Sequence, residues 1–386
     1  MRDAFALDPS ITHLNHGSFG AVPRVVTEAQ QRVRDRAEAN PMRFFRVDSP
    51  GLKAQARAVG AEFLGVGADD IALVRNVTAS AAVVLASLAE QGRLGRGDVV
   101  LVGRPGYESV RRTVARWCAS TGASYEVVDW EVGAPDEQVV RAFRERLGRG
   151  DVRLVVIDQI TSPTGAVLPA REVCEAARAA GALSMIDAAH VPGHVESRPA
   201  ASGADFWTGT WHKWGFAPRG TTALWASEAE RGALQPITTS WNDGQPFPWP
   251  FDTAGTDDSS SWFALEAALA FWRDAGGPAI AERSRTMLDD AAVVVADVIG
   301  PRPDVALPVN GSPCMRLVAL PVGVAETEED ADRLYEALGA ELVEAQVVAY
   351  DGQGWLRLSC APYNLQEDYQ RLADVLPKVL ASHPAG

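Results

Sequence analysis

The stretch RLVVIDQITSPTGAVLPAREVCEAARAAGALSMID (153–187) holds two apolar runs, RLVVID (153–158) and ALSMID (182–187), separated by an amphipathic segment. Short runs rich in Val, Ile and Leu are typical of buried strands. The segment between them has helical spacing and ends at a glycine. A strand, a helix and a second strand in this order predict two parallel strands joined by a crossover helix.

The same alternation continues on both sides of this unit, from about residue 65 to residue 225. Further runs that predict buried strands are IALV (71–74), DVVLV (98–102), SYEVVD (124–129) and TTALWA (221–226). The sequence therefore predicts an α/β fold with a large, doubly wound, mostly parallel sheet. Ligands in such sheets bind beyond the carboxyl ends of the strands, so the residues that follow each strand carry the functional information.

After about residue 258 the pattern changes. SSSWFALEAALAFWRDAG (259–276) places apolar residues on one face of a predicted helix, and two more helices are predicted at about 326–338 and 366–381. This part predicts a smaller α+β domain. We expect an N-terminal segment (1–45) that joins the small domain to the active site, a large domain (46–260) and a small C-terminal domain (261–386).

Composition narrows the function. The chain has 386 residues, 47% of them hydrophobic, and a formal net charge of −14. Nucleic acids and anionic membranes need a basic face, so neither is expected as a partner. Its four cysteines form no CxxC pair, which argues against a zinc site or a disulfide framework. No apolar run reaches the roughly 18 residues of a spanning helix, and the start lacks signal-peptide features. We therefore expect a cytoplasmic enzyme for a small molecule.

The stretch TGTWHKWGFAPRG (208–220) holds a lysine with reactive potential. Lys213 lies between Trp211 and Trp214, and burial among aromatic rings would disfavour its ammonium form. A neutral lysine amine is a nucleophile that can form a Schiff base with an aldehyde. Asp187, at the end of ALSMID, could keep a pyridinium nitrogen protonated. A lysine at a helix end and an aspartate that caps a turn are the alternative interpretation.

A phosphate site is predicted where VRNVTASAAVV (74–84) passes from a strand into a helix. Asn76 and Thr78 stand at the helix start, where free N–H groups and the helix dipole attract anions. An ordinary N-cap is the alternative there. Thr210 and His212 could add phosphate donors. Tyr107 could stack on a cofactor ring or be a half-buried loop aromatic.

These motifs together resemble a known family. LNHGSFG (14–20), RNVTAS (75–80), SPTGAVLP (162–169), MIDAAHVPGH (185–194), TGTWHKWGFAPRG and LRLSCAPYN (356–364) occur in the order found in class V aminotransferase-like enzymes. The chain most resembles the isopenicillin N epimerase-like branch, which is related to cysteine desulfurases and C–S lyases. The resemblance implies the aspartate-aminotransferase-like fold (fold type I), the cofactor pyridoxal 5′-phosphate (PLP) and an amino-acid substrate.

The resemblance also implies roles for single residues. Lys213 would bind the cofactor as a Schiff base and act as acid and base at the substrate Cα. Asp187 would pair with the pyridinium nitrogen, and His190 would lie near the phenolic oxygen. The implied phosphate contacts are Thr78, Thr210, His212 and the backbone of Val77.

The resemblance implies that four further residues contact the substrate or the neighbouring subunit. Arg357 in LRLS would clamp the substrate α-carboxylate, a task that suits the planar guanidinium fork. Asn15 and His16 would lie near the substrate. Thr256 in AGTDD (254–258) would reach the phosphate of the neighbouring subunit, which implies a homodimer with shared active sites.

Other interpretations have less support. A metal site formed by Asp187, His190 and His194 is disfavoured because Pro192 and Gly193 break the helix that would align the two histidines. No GxGxxG motif follows a strand, which argues against a dinucleotide site. A catalytically inert binding protein of the same fold would not need to keep Lys213, Asp187 and Arg357 together.

The reaction is predicted from what the sequence contains and lacks. No cysteine lies in 326–347, where the resemblance would place a persulfide carrier. Six of the eleven tryptophans lie within 207–249, and NDGQPFPWPFDTAG (242–255) is aromatic, which suits a bulky substrate or a dimer interface. We expect C–S β-lysis of a cysteine S-conjugate first and epimerisation second. Transamination and decarboxylating oxidative deamination stay open.

Overall fold

The computed structural model describes residues 1–382. The strands are β1 (Thr12–His13), β2 (Ile71–Val74), β3 (Val99–Gly103), β4 (Ser124–Val128), β5 (Val152–Asp158), β6 (Leu183–Ala188), β7 (Phe206–Thr210), β8 (Thr222–Ala226), β9 (Met315–Ala319), β10 (Val343–Glu344), β11 (Gln346–Tyr350) and β12 (Gln353–Ser359). The α-helices are α1 (His16–Phe19), α2 (Arg24–Ala39), α3 (Pro41–Arg43), α4 (Ser49–Leu64), α5 (Val77–Glu90), α6 (Glu108–Thr121), α7 (Asp136–Leu147), α8 (Ala170–Ala179), α9 (Trp249–Asp252), α10 (Ser260–Phe263), α11 (Leu265–Asp274), α12 (Ala279–Ile299), α13 (Glu328–Ala340) and α14 (Gln366–Ser382).

A seven-stranded sheet forms the larger part of the chain, with strand order β2-β8-β7-β6-β5-β3-β4. All neighbours are parallel except β8, which is antiparallel to both β7 and β2. The prediction of a mostly parallel sheet is confirmed. No strand is predicted at β7 from the sequence. Only its first two residues are large and apolar, and the remaining Thr208, Gly209 and Thr210 are polar or small. The sheet nevertheless buries Thr208 and Thr210 at its centre.

Both faces of this sheet are covered, as a doubly wound fold requires, except at the edge strand β4. Tyr125 and Val127 of β4 are exposed, so the prediction of a buried strand at SYEVVD is wrong. Alternate residues of β3 point to opposite cores: Val99 and Leu101 belong to one core, and Val100 and Val102 to the other. Successive side chains of a strand point to opposite faces, so a continuous apolar run is needed where both faces are buried. This explains why the parallel strands are so apolar in sequence.

A second, antiparallel sheet has the order β11-β12-β9 and shares a separate core with α12, α13 and α14. β1 pairs in parallel with β10, which ties the N-terminal segment to this smaller unit. The helix predicted over 259–276 is interrupted at Ala264, between α10 and α11. The domain boundaries at 45 and 260 remain a prediction. Within residues 1–382, no helix combines the length and apolar character needed to cross a membrane.

Candidate active site

A cleft of about 890 Å³ lies at the carboxyl edge of the large sheet and faces the small sheet. Its lining brings together ten of the thirteen residues predicted from the sequence: Asn76, Val77, Thr78, Tyr107, Asp187, His190, Thr210, His212, Lys213 and Arg357. The other three, Asn15, His16 and Thr256, lie outside this lining. The position agrees with the general rule for ligands of parallel α/β sheets.

Asp187 occupies the floor of the cleft because β6 ends there. Its Oδ1 accepts a hydrogen bond from the N–H of Ala189 at 2.9 Å, whereas its Oδ2 is buried without a partner. Burial raises the pKa of Asp187 to about 6. A buried carboxylate oxygen without a partner is costly, and a cationic N–H group placed against it would remove that cost and lower the pKa.

Lys213 follows β7 and reaches the same floor. Its Nζ lies 3.0 Å from Nε2 of His190. Burial and, to a smaller extent, the positive charge of Arg357 lower the pKa of Lys213, against the opposing charges of Asp187 and Asp158, and the result is a pKa of about 8. About a tenth of the amine is therefore neutral at pH 7, far more than for an ordinary lysine, and this neutral form is the nucleophile or base.

The start of α5 forms the predicted phosphate end of the cleft. The Oδ1 of Asn76 accepts a hydrogen bond from the N–H of Ala79 at 2.8 Å, so the side-chain oxygen of Asn76 acts as the N-cap that the sequence left open. Val77 and Thr78, in the first turn of this 14-residue helix, line the cleft. Backbone N–H groups of a first helical turn have no partner within the helix and suit an anion.

Thr210 supports a neighbour at this end instead of presenting a free hydroxyl. Its Oγ1 donates to the carbonyl of Thr221 at 2.8 Å and lies 2.5 Å from Nδ1 of His212. Because the hydroxyl proton of Thr210 is donated to the carbonyl of Thr221, Thr210 Oγ1 can only accept from His212. Nδ1 of His212 therefore carries a proton and donates it to Thr210. Burial lowers the pKa of His212 to about 4, and a bound phosphate would raise it again.

Arg357 lies on β12, on the wall of the cleft opposite the large sheet. Its Nη2 donates to Ser18 Oγ at 3.0 Å and to Asn15 Oδ1 at 3.3 Å, and Nη1 donates to the carbonyl of Ser162. Its Nε is buried without a partner, and burial lowers its pKa to about 10. Asn15 therefore orients Arg357. The predicted place of Asn15 near the substrate depends on this contact with Arg357.

His16 lies elsewhere than the sequence suggested. It is buried beneath the segment between β7 and β8 that holds Lys213 (residues 211–221, the lysine loop), with Nε2 at 3.0 Å from the carbonyl oxygen of Lys213 and Nδ1 at 3.2 Å from the hydroxyl of Tyr363. Gly20 lets the backbone of this segment come close to the lysine loop. A Cβ on Gly20, whose φ is 66°, would lie only 2.2 Å from the carbonyl oxygen of His212. His16 thus holds the backbone of Lys213 and does not reach the cleft.

Thr256 and the segment 241–255, here called the aromatic loop, do not line the cleft of their own chain. Thr256 is exposed in a separate groove beside Phe44 and Phe45. Trp241, 96% exposed, also lies outside the cleft lining. Four of the six clustered tryptophans are core residues: Trp207, Trp211, Trp214 and Trp225. Within one chain, the aromatic loop therefore gives no support for a bulky substrate.

Asp158 was missed by sequence reasoning. It ends β5, lies in register with Asp187 on β6, and lines the cleft. Burial, together with the charge of Asp187, raises its pKa well above the ordinary value. The signal was available, because RLVVID and ALSMID both end in aspartate at the same edge of the sheet.

The cysteines and His194 lie outside the cleft lining. Cys118, Cys174, Cys314 and Cys360 are buried, and none of them is part of the cleft lining. In the described part of the chain, no cluster of three or more His, Cys, Asp or Glu side chains could hold a metal ion. His194 uses both ring nitrogens in hydrogen bonds, to His190 and Cys314.

These features fit a phosphorylated pyridine aldehyde. The partnerless Oδ2 of Asp187 suits a protonated ring nitrogen, the start of α5 suits a phosphate, and the amine of Lys213 suits an aldehyde carbon. The partnerless Nε of Arg357 suits a further carboxylate.

Comparison with known proteins identifies related chains. The aminotransferase class-V family model matches residues 20–372. Isopenicillin N epimerase of Amycolatopsis lactamdurans is 30% identical, and the alignment covers 98% of this chain and 97% of that protein. L-cysteine desulfhydrase of Arabidopsis thaliana is 26% identical, with 96% and 88% covered. A solved complex of the cystine C–S lyase C-DES with its product cysteine persulfide has a TM-score of 0.78 at 19% identity, covering 95% of this chain and 97% of that one. The predicted resemblance and fold are confirmed.

Proposed function

Because the chain belongs to the aminotransferase class-V family, we propose that this pyridoxal phosphate-dependent enzyme breaks the Cβ–S bond of an L-cysteine S-conjugate. The cofactor is PLP, which when bound supplies an electron sink that makes the substrate Cα–H bond acidic. The names of the relatives support this class of substrate: a cysteine desulfhydrase among the related sequences and a C–S lyase among the structures of the same fold.

The proposal assigns tasks to the floor of the cleft. Asp187 pairs with the ring nitrogen, and the first turn of α5 with His212 holds the phosphate. Lys213 accepts the Cα proton, which its lowered pKa permits near neutral pH. Arg357 holds the substrate carboxylate through its guanidinium fork.

Elimination then needs only one base. Removal of the Cα proton by Lys213 and cleavage of the Cβ–S bond release a thiolate. The remaining 2-aminoacrylate reacts with one water molecule to give pyruvate and ammonia. The observation that carries the proposal is that Lys213 lies on the cleft floor as the base, whereas His16, the other basic residue expected near the substrate, is buried under the carbonyl of Lys213 and cannot act there.

Epimerisation is the second candidate. It is supported by 30% identity to isopenicillin N epimerase over nearly the whole chain. It needs a second acid on the face opposite Lys213, and Tyr107, which lines the cleft and is 43% exposed, is the residue that we assign to this alternative.

The test is product analysis of the holoenzyme with S-methyl-L-cysteine and L-cystine in D₂O. Lysis predicts pyruvate, ammonia and thiol or persulfide in equal amounts. The D-enantiomer with deuterium at Cα and no pyruvate would replace lysis by epimerisation. A keto acid that keeps its side chain would show transamination, and CO₂ release with oxygen uptake would show decarboxylating deamination.

We also propose that the enzyme is a homodimer whose Thr256 completes the cofactor site of the partner subunit. Thr256 is exposed and outside the cleft of its own chain, as this arrangement requires. Equal amounts of inactive Lys213→Ala and weakened Thr256→Ala chains, mixed and allowed to exchange, should then form hybrid dimers with one complete site. A monomeric holoenzyme in sedimentation velocity would rule out the shared site.

A further inference from the structure

Trp214 connects the lysine loop to His190. Its indole Nε1–H donates to Nδ1 of His190 at 3.4 Å, while the other ring nitrogen of His190, Nε2, lies 3.0 Å from Nζ of Lys213. Trp214 and His190 are both buried. One imidazole therefore lies between an indole on one side and the reactive amine on the other.

This arrangement determines where the proton of His190 resides. An indole nitrogen can only donate, so Nδ1 of His190 must present its lone pair to Trp214. A neutral imidazole carries one proton, which is then on Nε2. A second proton on Nδ1 would face the indole N–H directly, and burial already lowers the pKa of His190 well below its ordinary value.

We propose that Trp214 is a positioning residue that holds His190 in the Nε2–H tautomer, so that His190 faces Lys213 and the cofactor as a hydrogen-bond donor and not as a base. An Nε2–H group binds the lone pair of a neutral amine and repels an ammonium group. His190 in this tautomer favours the neutral form of Lys213. The catalytic meaning of this inference rests on the proposed role of Lys213, but the tautomer itself does not.

His194 provides an internal control. Its Nδ1 donates to the carbonyl of His190 at 3.0 Å, and its Nε2 accepts from the N–H of Cys314 at 2.9 Å. Its ring packs on Trp214 with 4.5 Å between the centroids. Backbone groups hold His194 in the opposite tautomer, so the loss of the indole N–H should leave that tautomer unchanged.

The experiment is ¹⁵N NMR of the holoenzyme labelled at histidine, with His190→Gln used to assign the His190 signals. In the wild type we expect a protonated Nε2 and an unprotonated Nδ1 at His190. Trp214→Phe removes the N–H but keeps an aromatic ring, and we expect a second His190 tautomer to appear while His194 stays as it was. The matched control is Trp211→Phe, because Nε1 of Trp211 is buried without a partner and its loss breaks no hydrogen bond.

Each result has one meaning. A proton on Nδ1 of His190 in the wild type would overturn the inference, even if the Trp214→Phe chain failed to fold. An unchanged His190 tautomer in a folded Trp214→Phe protein would also overturn the inference. Equal effects of Trp214→Phe and Trp211→Phe on that tautomer would show that Trp214 acts only through packing, which would contradict the inference too. No substrate is present, so failure of the proposed lyase activity leaves this result intact.

A second readout measures the effect on cofactor binding. Loss of a well-oriented neutral donor should weaken the binding of PLP about three- to tenfold in Trp214→Phe. The same substitution made in His190→Gln should have a smaller effect, because a glutamine amide can donate without the indole. Equal effects in both backgrounds would show that Trp214 and His190 act independently.

Discussion

The two walls of the cleft are built in different ways. On the large-sheet wall, Asp158, Asp187 and Lys213 are placed by adjacent parallel strands or the loop that follows one of them. On the opposite wall, Arg357 of β12 is oriented by Asn15 and Ser18 from the N-terminal segment. The first wall depends on the register of one sheet, and the second depends on side-chain hydrogen bonds between segments more than 330 residues apart.

This difference indicates how each wall should respond to substitution. Side chains at strand ends are held by the backbone, so replacing one should remove its chemistry and leave its neighbours in place. The orientation of Arg357 depends on its hydrogen-bond partners, so replacing one partner should weaken substrate binding only partly. Substitutions on each wall test this contrast.

Lys213→Ala should have the largest effect. Removal of the base at the substrate Cα should lower kcat by about 10²- to 10⁴-fold, and the visible absorption of the lysine-bound cofactor should disappear. Steady-state kinetics and absorption spectra measure both. The control is Lys378→Ala, since Lys378 forms an exposed pair with Glu341 far from the cleft and should behave like the wild type. Unchanged activity in Lys213→Ala would refute the proposed mechanism.

Asp187→Asn should weaken cofactor binding roughly 100-fold, because removal of one partner of a buried charge pair costs about 3 kcal/mol. Fluorescence titration of the cofactor-free chain with PLP measures the dissociation constant. Asp374→Asn on the exposed face of α14 is the control. An effect below threefold would show that Asp187 does not face the ring nitrogen.

Arg357→Lys should raise KM roughly tenfold with little change in kcat, because the charge stays but the bidentate fork is lost. Asn15→Ala should raise KM by about three- to tenfold, as expected for one hydrogen bond. Initial-rate measurements over a range of substrate concentration give both values. If Asn15→Ala lowered kcat with KM unchanged, the description of Asn15 as a support for Arg357 would be wrong.

Lys213→Met should raise the melting temperature of the cofactor-free protein by roughly a few degrees at pH 7. The pKa of Lys213 falls from 10.5 to about 8 on folding, so the buried ammonium destabilises the fold below about pH 8. As pH rises from 8 to 10.5 this penalty disappears, and the two melting curves should converge. Differential scanning calorimetry at pH 7, 9 and 10.5 tests the sign, which would be contradicted by a difference that grows with pH.

The large sheet and most of the polar residues at its edge can be predicted from the sequence alone. Apolar runs such as those of β3, β5 and β6 are buried on both faces, and a polar residue directly after such a run lies at the sheet edge where ligands bind. This is why Asp187 and the start of α5 were found and why Asp158, which follows the same rule, could have been found. The seventh strand was missed because Thr208 and Thr210 carry no apolar signal, although the sheet buries both.

The hydrogen bonds between distant segments, in contrast, depend on how the elements pack against one another. Asn15 and His16 are neighbours in one motif, yet Asn15 binds Arg357 while His16 binds the carbonyl of Lys213. The proton position of His190 likewise depends on the indole of Trp214, 24 residues away. Strand placement follows from the local pattern of apolar residues, whereas these contacts depend on how separate elements pack, and no local pattern in the sequence records that packing.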